Sequence, residues 1–297
     1  MKSTSKLGSV SVGTGFPVRI MAAVNMSPES FYKGSVATTA QEISARASRA
    51  IEEGADLIDI GAMSTAPYLE NEVSEEGEVT RIRLALHAIA GMDEVPISVD
   101  TLRASVANFA LESGASVVND VSGLKNDGEM AKVVRDHGAS LLAMAHSSKT
   151  SRTRPIVQVR NALKESLRIA ERAEIDERRI VLDPGIGFFR EEGAGKAYSP
   201  QRLLPWYEWD CQVLADLGKL EQLHRPLCVG LSRKSFLGKI LDLESPDERL
   251  LGSLAATAIA VMNGAHLIRT HDVKETVHAV RIAEAIKRRG RRASSVS

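Results

Sequence analysis

The stretch Pro226-Leu-Cys-Val-Gly-Leu-Ser-Arg-Lys-Ser-Phe-Leu-Gly238 contains a short apolar run that stops abruptly at polar residues. The apolar part has the length of a buried strand, and Ser232-Arg-Lys234 follows directly at its carboxyl end. The same arrangement returns further along the chain in Ala265-His-Leu-Ile-Arg-Thr-His-Asp272. Ligands of parallel α/β proteins bind at the carboxyl ends of the strands. Two successive strands that end in cations therefore predict an anion-binding site.

Outward from this stretch, short apolar runs alternate with longer amphipathic stretches along the whole chain. The predicted strands are 18–24, 56–60, 96–99, 115–118, 139–144, 179–182, 226–231 and 265–268. The predicted helices are 39–53, 75–90, 103–113, 128–137, 156–174, 200–222, 247–263 and 272–289. This alternation predicts an α/β fold, a closed (β/α)8 TIM barrel rather than an open doubly wound sheet.

No linker divides the chain, so the sequence predicts a single barrel domain over residues 17–289. Residues 1–16 are expected to be a flexible N-terminal segment, and residues 290–297 a disordered tail rich in Arg and Ser.

Charge and cysteine content narrow the range of partners and compartments. Lys+Arg and Asp+Glu balance at 38 each in 297 residues, so no bulk charge favours nucleic acid or a membrane surface. Cys211 and Cys228 are too few for a disulfide framework or a zinc cluster. No apolar run is long enough for a membrane span or a signal peptide. We therefore expect a cytoplasmic protein whose partners are small molecules, with no nucleic acid and no membrane.

Polar residues follow every predicted strand at its carboxyl end, and in a closed barrel these ends meet at one mouth, where active sites lie. Carboxylates, an amide and an ammonium group from four strands suit a flat, nitrogen-rich heterocycle. These residues are Asp100, Asn119, Asp183 and Lys234. The alternative is a structural network of salt bridges that fills the mouth.

Three further positions have a functional and a structural interpretation. Arg269 and His271 are placed to flank one anion, since barrels often bind phosphate after their last two strands; alternatively, one of them caps a helix or pairs with Asp272. Asn25 offers an amide oxygen to magnesium, or belongs to a simple turn. Phe188 either stacks on a planar ligand or packs in the core.

Seven short motifs occur along the chain in this order: Asn25-Met-Ser-Pro-Glu-Ser-Phe31, Gly61-Ala-Met-Ser-Thr-Ala-Pro67, Val99-Asp-Thr101, Asn119-Asp-Val-Ser-Gly123, Asp183-Pro-Gly-Ile-Gly-Phe188, Ser232-Arg-Lys234 and Arg269-Thr-His-Asp272. Taken together, they resemble the motifs of the dihydropteroate synthase family. The resemblance extends from Ile20 to Ala285, and Ser-Thr-Ala-Pro in the second motif is similar to archaeal-type members.

The resemblance implies a TIM barrel, often homodimeric, that condenses 6-hydroxymethyl-7,8-dihydropterin diphosphate with 4-aminobenzoate and releases diphosphate with Mg2+ present. It assigns the pterin to Asp100, Asn119, Asp183, Phe188 and Lys234, with Asp100, Asp183 and Lys234 as the catalytic residues. It assigns the diphosphate to Asn25, Arg269 and His271, with Asn25 also at the metal. It assigns the arylamine to Thr65, Pro67 and Ser232.

Three departures from the family pattern bear on the substrate and on the sixth helix. Ala66 replaces the Arg that folate-making members carry near the aminobenzoate carboxylate, which suits the carboxylate-free arylamine of methanopterin synthesis. Ala143-Met-Ala-His-Ser-Ser148 replaces the usual Met-His motif. The segment from Phe189 to Trp209 is longer than is typical of the family and carries Trp206 and Trp209, which could cap the mouth, meet a partner subunit or anchor the sixth helix.

Two other functions compete with the condensation. A pterin-dependent methyltransferase would share the pterin-holding Asp and Asn, but it has no diphosphate to bind, so Arg269 and His271 argue against it. A catalytically silent pterin-binding protein is compatible with Ala66, and the complete set of polar residues at the strand ends argues against it.

Overall fold

A computed structural model describes residues 3–27, 36–63, 73–92, 95–147, 153–189 and 204–294, with side chains to residue 290. Eight of its strands form one parallel sheet. They are β3 (Arg19–Asn25), β4 (Leu57–Gly61), β5 (Ile97–Asp100), β6 (Val117–Asp120), β7 (Ser140–Met144), β8 (Ile180–Asp183), β9 (Cys228–Gly230) and β10 (Leu267–Thr270). The sheet runs in the order β8-β7-β6-β5-β4-β3-β10-β9. A parallel bridge between Leu182 and Leu227 joins its two ends, so the predicted (β/α)8 barrel is confirmed.

Helices follow the barrel strands and cover the outside of the sheet. Those in the described ranges are α1 (Ala40–Glu52), α2 (Glu75–Ala88), α3 (Ala104–Glu112), α4 (Met130–Asp136), α5 (Pro155–Arg172), α6 (Trp206–Ala215), α7 (Ser235–Leu241), α8 (Leu250–Met262) and α9 (Val273–Ser294). Side chains cap the starts of α1 and α2. Thr39 Oγ1 accepts a hydrogen bond from the Glu42 backbone N–H, and the Glu42 carboxylate accepts one from the Thr39 backbone N–H, which completes a capping box; Ser74 Oγ accepts one from the Gly77 N–H. Helix α7 was not expected from the sequence.

The two-residue period of the strands builds the interior of the barrel in layers. One layer is mostly apolar: seven strands contribute Met21, Leu57, Val117, Leu142, Val181, Cys228 and Leu267, and β5 contributes the buried Ser98. Two residues further along, the same strands present Ala23, Asp59, Asp100, Asn119, Met144, Asp183, Gly230 and Arg269. The interior of the barrel therefore changes from apolar to charged side chains over two residues of each strand.

The N-terminal residues correct the expectation of a flexible segment over 1–16. Strands β1 (Thr4–Leu7) and β2 (Val10–Gly13) form an antiparallel hairpin. Leu7 and Val12 are completely buried against the apolar layer, and Ser5 Oγ donates a hydrogen bond to the Ile180 carbonyl at 2.8 Å. The hairpin therefore packs against the amino end of the barrel and closes it.

The last helix differs from the expected disordered tail over residues 290–297. Helix α9 continues to Ser294 and includes most of the residues 290–297 that the sequence assigned to a disordered tail. The run of Arg and Lys near its end suits the negative end of the helix dipole.

Within the described residues, no helix is both long enough and apolar enough to cross a bilayer. The expected cytoplasmic location stays a prediction.

Candidate active site

An ionic network fills the centre of the mouth, and Arg269 is its hub. Its Nε donates to Asp59 Oδ2 at 2.6 Å, and its Nη2 donates to Asp100 Oδ2 at 3.0 Å. Asn119 Nδ2 donates to the same oxygen of Asp59 at 3.0 Å. Neighbouring strands bring these groups together, since Asp100 is in register with Gly61 on one side and Asn119 on the other. The sequence assigned Arg269 to the diphosphate. In the structure its guanidinium group binds two carboxylates, and one of them, Asp100, was assigned to the pterin.

Two carboxylates share this one guanidinium group, and each keeps an oxygen with no hydrogen-bond partner among the described residues. These oxygens are Asp59 Oδ1 and Asp100 Oδ1, and both residues are buried. Burial raises the pKa of Asp100 to about 7, with Asp59 adding to the rise and Arg269 opposing it. Buried polar atoms are normally satisfied, and Asp100 lines the cavity, so its open oxygen indicates a place for a donor of a ligand, whereas Asp59 is fully buried.

Asp183 and Lys234 form the second charged part of the mouth. Asp183 Oδ1 accepts a hydrogen bond from the Gly185 backbone at 2.7 Å. Burial raises the pKa of Asp183 to about 6, although this bond and the charges of Lys234 and Arg269 lower it. Lys234 Nζ lies 4.3 Å from the centre of the Phe188 ring, a cation–π distance. The structure thus brings together three residues that the sequence assigned to the pterin.

Phe188 lies where it could stack on a planar ligand, one of the two roles that the sequence left open for it. It lines the mouth together with Asp100, Asn119, Asp183 and Lys234, and it remains partly exposed. Phe189, the next residue, is buried and stacks on Trp209 with 4.5 Å between the ring centres. One aromatic side chain of the loop therefore faces the cavity and the other anchors it.

The loop that follows Asp183 rests on helix α6. Gly187 donates a backbone hydrogen bond to Asp210 Oδ1 at 2.9 Å, and Gly187 has φ +85°. A Cβ on Gly187 would lie 3.2 Å from the Lys234 side chain. Trp209 on α6 is buried and stacks on Phe189 of the same loop, so it anchors the sixth helix, one of the three roles that the sequence left open for it.

His271 lines the mouth beside Arg269, in agreement with their predicted proximity. Burial and the charge of Arg269 lower the pKa of His271 to about 3. The imidazole is therefore neutral at physiological pH, so His271 would contact an anion through a hydrogen bond rather than through a charge.

Asn25 and Ser232 also line the mouth, on either side of β10. The Asn25 amide oxygen lies 3.4 Å from the place where a Cβ on Gly61 would stand. Ser232 Oγ donates to Asp272 Oδ2 at 3.2 Å and accepts from the His271 backbone at 3.4 Å. Thr65, Pro67 and Ala66 lie outside the described residues, so their predicted roles stay predictions.

Asp59 is the member of the site that sequence reasoning missed. The residue is fully buried and binds both Asn119 and Arg269. It stands in a run with no charged neighbour, Leu57-Ile-Asp-Ile60, two residues after an inward-facing Leu57. The sequence signal for Asp59 was a single carboxylate on the inward side of an otherwise apolar strand.

A family model described as pterin binding enzyme matches residues 21–271 of the chain. The dihydropteroate synthase of Clostridium beijerinckii is 35% identical over 285 residues, which cover 96% of this chain and 100% of that protein. The chain belongs to the dihydropteroate synthase family. It is accordingly an enzyme, a transferase of the dihydropteroate synthase class.

Other members of the dihydropteroate synthase family agree in sequence and in structure. The Escherichia coli dihydropteroate synthase is 37% identical over 272 residues, 90% of each chain. The structure of Xanthomonas albilineans dihydropteroate synthase with 4-aminobenzoic acid has a TM-score of 0.82 at 32% identity, and the match covers 97% of this chain and 99% of that one. These relatives favour the synthase over the methyltransferase.

Proposed function

We propose that this enzyme displaces diphosphate from a dihydropterin methyl diphosphate with an arylamine. The observation that carries the proposal is the network of Asp59, Asp100, Asn119 and Arg269, placed beside Asp183 and Lys234 at one mouth. The carboxylate oxygens would accept hydrogen bonds from ring N–H groups of the pterin. The amide would bind the same ring, and the cations would bind the ring and the leaving group. The relatives named above support the same reaction.

The pterin lies against the carboxylates in this proposal. Departure of diphosphate leaves positive charge on the pterin methylene group and its ring, and buried carboxylates stabilise such charge strongly because the surroundings have a low dielectric constant. Asp183 and Asp100 are the groups that would do so. Burial raises the pKa of both carboxyl groups, so a cationic pterin lying against them would favour their ionised forms.

The bond changes require little acid–base chemistry. The C–O bond to diphosphate breaks with its electron pair on oxygen, the arylamine nitrogen forms the new C–N bond, and the nitrogen then loses one proton to solvent. The residues of the mouth mainly hold the two reactants in line and exclude water. Phe188 would pack on the flat reactants.

We also propose that Mg2+ assists the leaving group, with Asn25 as its protein ligand. Magnesium is commonly held by one or two protein groups together with substrate phosphates and water. The described residues contain no group of three or more His, Cys, Asp or Glu arranged for a metal, so a single amide at the mouth fits that sparse mode. Bound there, the cation would neutralise charge on the departing diphosphate. Arg269 and His271, from the neighbouring strand β10, would bind the diphosphate as well.

The identity of the arylamine is the open specificity question. Ala66 removes the cation expected beside a carboxylate, and it favours the ribosyl-aminobenzene phosphate of methanopterin synthesis over 4-aminobenzoate. Efficient turnover of 4-aminobenzoate with no turnover of the ribosylated amine would assign the enzyme to folate synthesis instead.

The test of the function is amine-dependent release of diphosphate. The purified protein, Mg2+ and pterin diphosphate are mixed with each arylamine in turn, and both diphosphate and the conjugate are measured. The proposal requires equal amounts of the two products. Diphosphate without conjugate would show a hydrolase, and binding of pterin without either product would show a silent pterin-binding protein.

We further propose a homodimer that buries the outer faces of α8 and α9. These two helices pack against each other and present a group of exposed apolar side chains. The group is Leu251, Ile259, Met262, Ile282 and Ile286, with Leu251 78% and Ile282 65% exposed. Exposed apolar patches of this kind mark interfaces. Light scattering on wild type and Leu251→Glu tests it: a dimeric wild type and a monomeric variant are expected, and a monomeric wild type contradicts it.

A further inference from the structure

Arg233 stands between two residues of the mouth but does not belong to the mouth itself. Ser232 and Lys234 line the cavity, whereas Arg233 is buried, with 6% of its surface exposed. Its backbone is left-handed, with φ +55°. For a residue with a Cβ this conformation is sterically unfavourable. The contacts of Arg233 must therefore hold the chain in a turn that sends its two neighbours to the cavity.

The side chain of Arg233 forms a two-pronged ion pair with Asp272. Nε lies 3.0 Å from Asp272 Oδ2, and Nη2 lies 2.7 Å from Oδ1. Nη1 donates to the backbone carbonyls of Pro246 and Asp247 at 3.0 and 2.8 Å. A paired geometry of this kind fixes orientation as well as distance, and a lysine cannot reproduce it.

The backbone of Arg233 is fixed as well. Its N–H donates to Ser253 Oγ on α8 at 2.8 Å, and its carbonyl accepts a hydrogen bond from Arg249 Nη1 at 3.3 Å. Ser253 Oγ in turn donates to the Arg249 carbonyl at 2.8 Å. The turn after β9 is therefore attached to the rigid outer helix α8.

Asp272 connects this turn to the end of the next strand. Asp272 directly follows His271, and its carbonyl accepts a hydrogen bond from Thr276 in the first turn of α9. Ser232 Oγ bridges the same two segments through Asp272 and the His271 backbone. The end of β9 that carries Lys234 and the end of β10 that carries Arg269 and His271 are thus joined by buried, directional contacts.

We propose that Arg233 is a positioning residue that fixes the pterin-holding side of the mouth relative to the diphosphate-holding side. The inference rests on the proposed function, in which Lys234 serves the pterin and His271 serves the diphosphate. A substrate that spans both sides gains affinity over its separate parts only if the two sides keep a fixed spacing. Arg233 and Asp272 set that spacing without touching the substrate.

Arg233→Lys tests the proposal because it keeps the charge and loses the two-pronged pairing. Three ligands are titrated with Mg2+ present: hydroxymethyl-dihydropterin, inorganic diphosphate and intact pterin diphosphate. We expect each fragment to bind within about threefold of wild type, while the intact substrate weakens at least about tenfold and kcat falls by a similar factor. Arg19→Lys is the matched control, since Arg19 pairs with Asp56 at 2.8 Å on the amino-end side of the barrel, and all three affinities should stay at wild-type values.

If Arg233→Lys folds poorly, Asp272→Asn serves as the second variant, because it removes the charge of Asp272 and preserves its size. The pair acts as one unit, so the double variant should lose little more than either single variant. Equal weakening of fragments and intact substrate, together with a lower melting temperature, would reduce Arg233 to a structural role and overturn the proposal. Unchanged affinity and kcat would overturn it too. Failure of wild type to bind pterin diphosphate would instead refute the proposed function.

Discussion

The same strands build two very different interiors at the two ends of the barrel. At the amino end, Leu7 and Val12 of the hairpin close a mostly apolar layer. At the carboxyl end, Asp59, Asp100 and Arg269 form a buried ionic network in which two carboxylate oxygens have no partner among the described residues. Hydrophobic burial stabilises the fold at one end, while the other end holds charges whose burial opposes folding. In TIM barrels generally, the amino end carries stability and the carboxyl end carries catalysis.

The largest expected effect of a single change is at the mouth. Lys234→Ala should lower kcat/KM about 100-fold, close to 3 kcal/mol, because Asp183 then loses its nearby cation in a buried site. The melting temperature should change little by comparison. Steady-state kinetics of amine-dependent diphosphate release measure the effect. Wild-type turnover and pterin affinity in this variant would mean that the pterin site lies elsewhere.

The opposite pattern is expected at the closed end. Leu7→Ala removes a completely buried side chain and should lower the free energy of unfolding by about 3 kcal/mol. At a temperature where the variant is folded, its kcat/KM should match wild type. Lys6→Ala, an exposed neighbour on the same strand, should change stability by less than about 0.5 kcal/mol. Loss of activity in folded Leu7→Ala would show that the two ends are not separable.

The cost of burying charge at the mouth should appear in the pH dependence of stability. The pKa of Asp100 is raised to about 7 in the folded protein, so the folded state binds the proton more tightly than the unfolded chain. This contribution to stability is fully present below the unfolded pKa of about 4 and is lost as pH rises through 7.

Asp100→Asn should therefore stabilise the protein at pH 8, and the gain should shrink as pH falls towards 4. Denaturant unfolding at several pH values measures it, and catalytic activity should be lost in the same variant. Glu129→Gln, the same kind of substitution at an exposed carboxylate, is the control. A variant that is destabilised at pH 8 would mean that the charge of Asp100 stabilises the fold after all.

The smallest expected effect concerns the metal. Asn25→Ala should raise the Mg2+ concentration needed for half-maximal activity several-fold and leave kcat at saturating Mg2+ near the wild-type value, because most ligands would come from substrate and water. A magnesium titration of activity measures the shift. An identical titration curve would return Asn25 to the role of a turn residue.

Much of this arrangement could be predicted from the sequence because it depends on local patterns. Alternating strands and helices predicted the barrel, and the position of Asp100, Asn119, Asp183 and Lys234 after strands predicted their meeting at one mouth. The hairpin was missed because its strands are four residues long and consist largely of Ser, Thr, Lys and Gly, so their burial comes from tertiary packing alone.

The pairing of charges could not be predicted from the sequence. Arg233 and Arg269 look equivalent, since each follows a strand and each was a candidate for binding an anion. Their partners are decided by side-chain direction: Arg269 points into the barrel towards Asp59 and Asp100, and Arg233 points out through a left-handed turn towards Asp272. Helix α7 was missed because Gly238 interrupts its seven residues, and the tight packing of Arg249 at that glycine is visible only in three dimensions.

The central claim is that the carboxyl end binds pterin diphosphate and the amino end contributes stability only. Calorimetric titration of pterin diphosphate, with Mg2+, into wild type, Asp183→Asn and Leu7→Ala tests it directly. We predict that wild type and Leu7→Ala bind with the same affinity, while Asp183→Asn binds at least about 100-fold more weakly. Equal binding by Asp183→Asn and wild type, or loss of binding in folded Leu7→Ala, would contradict the claim.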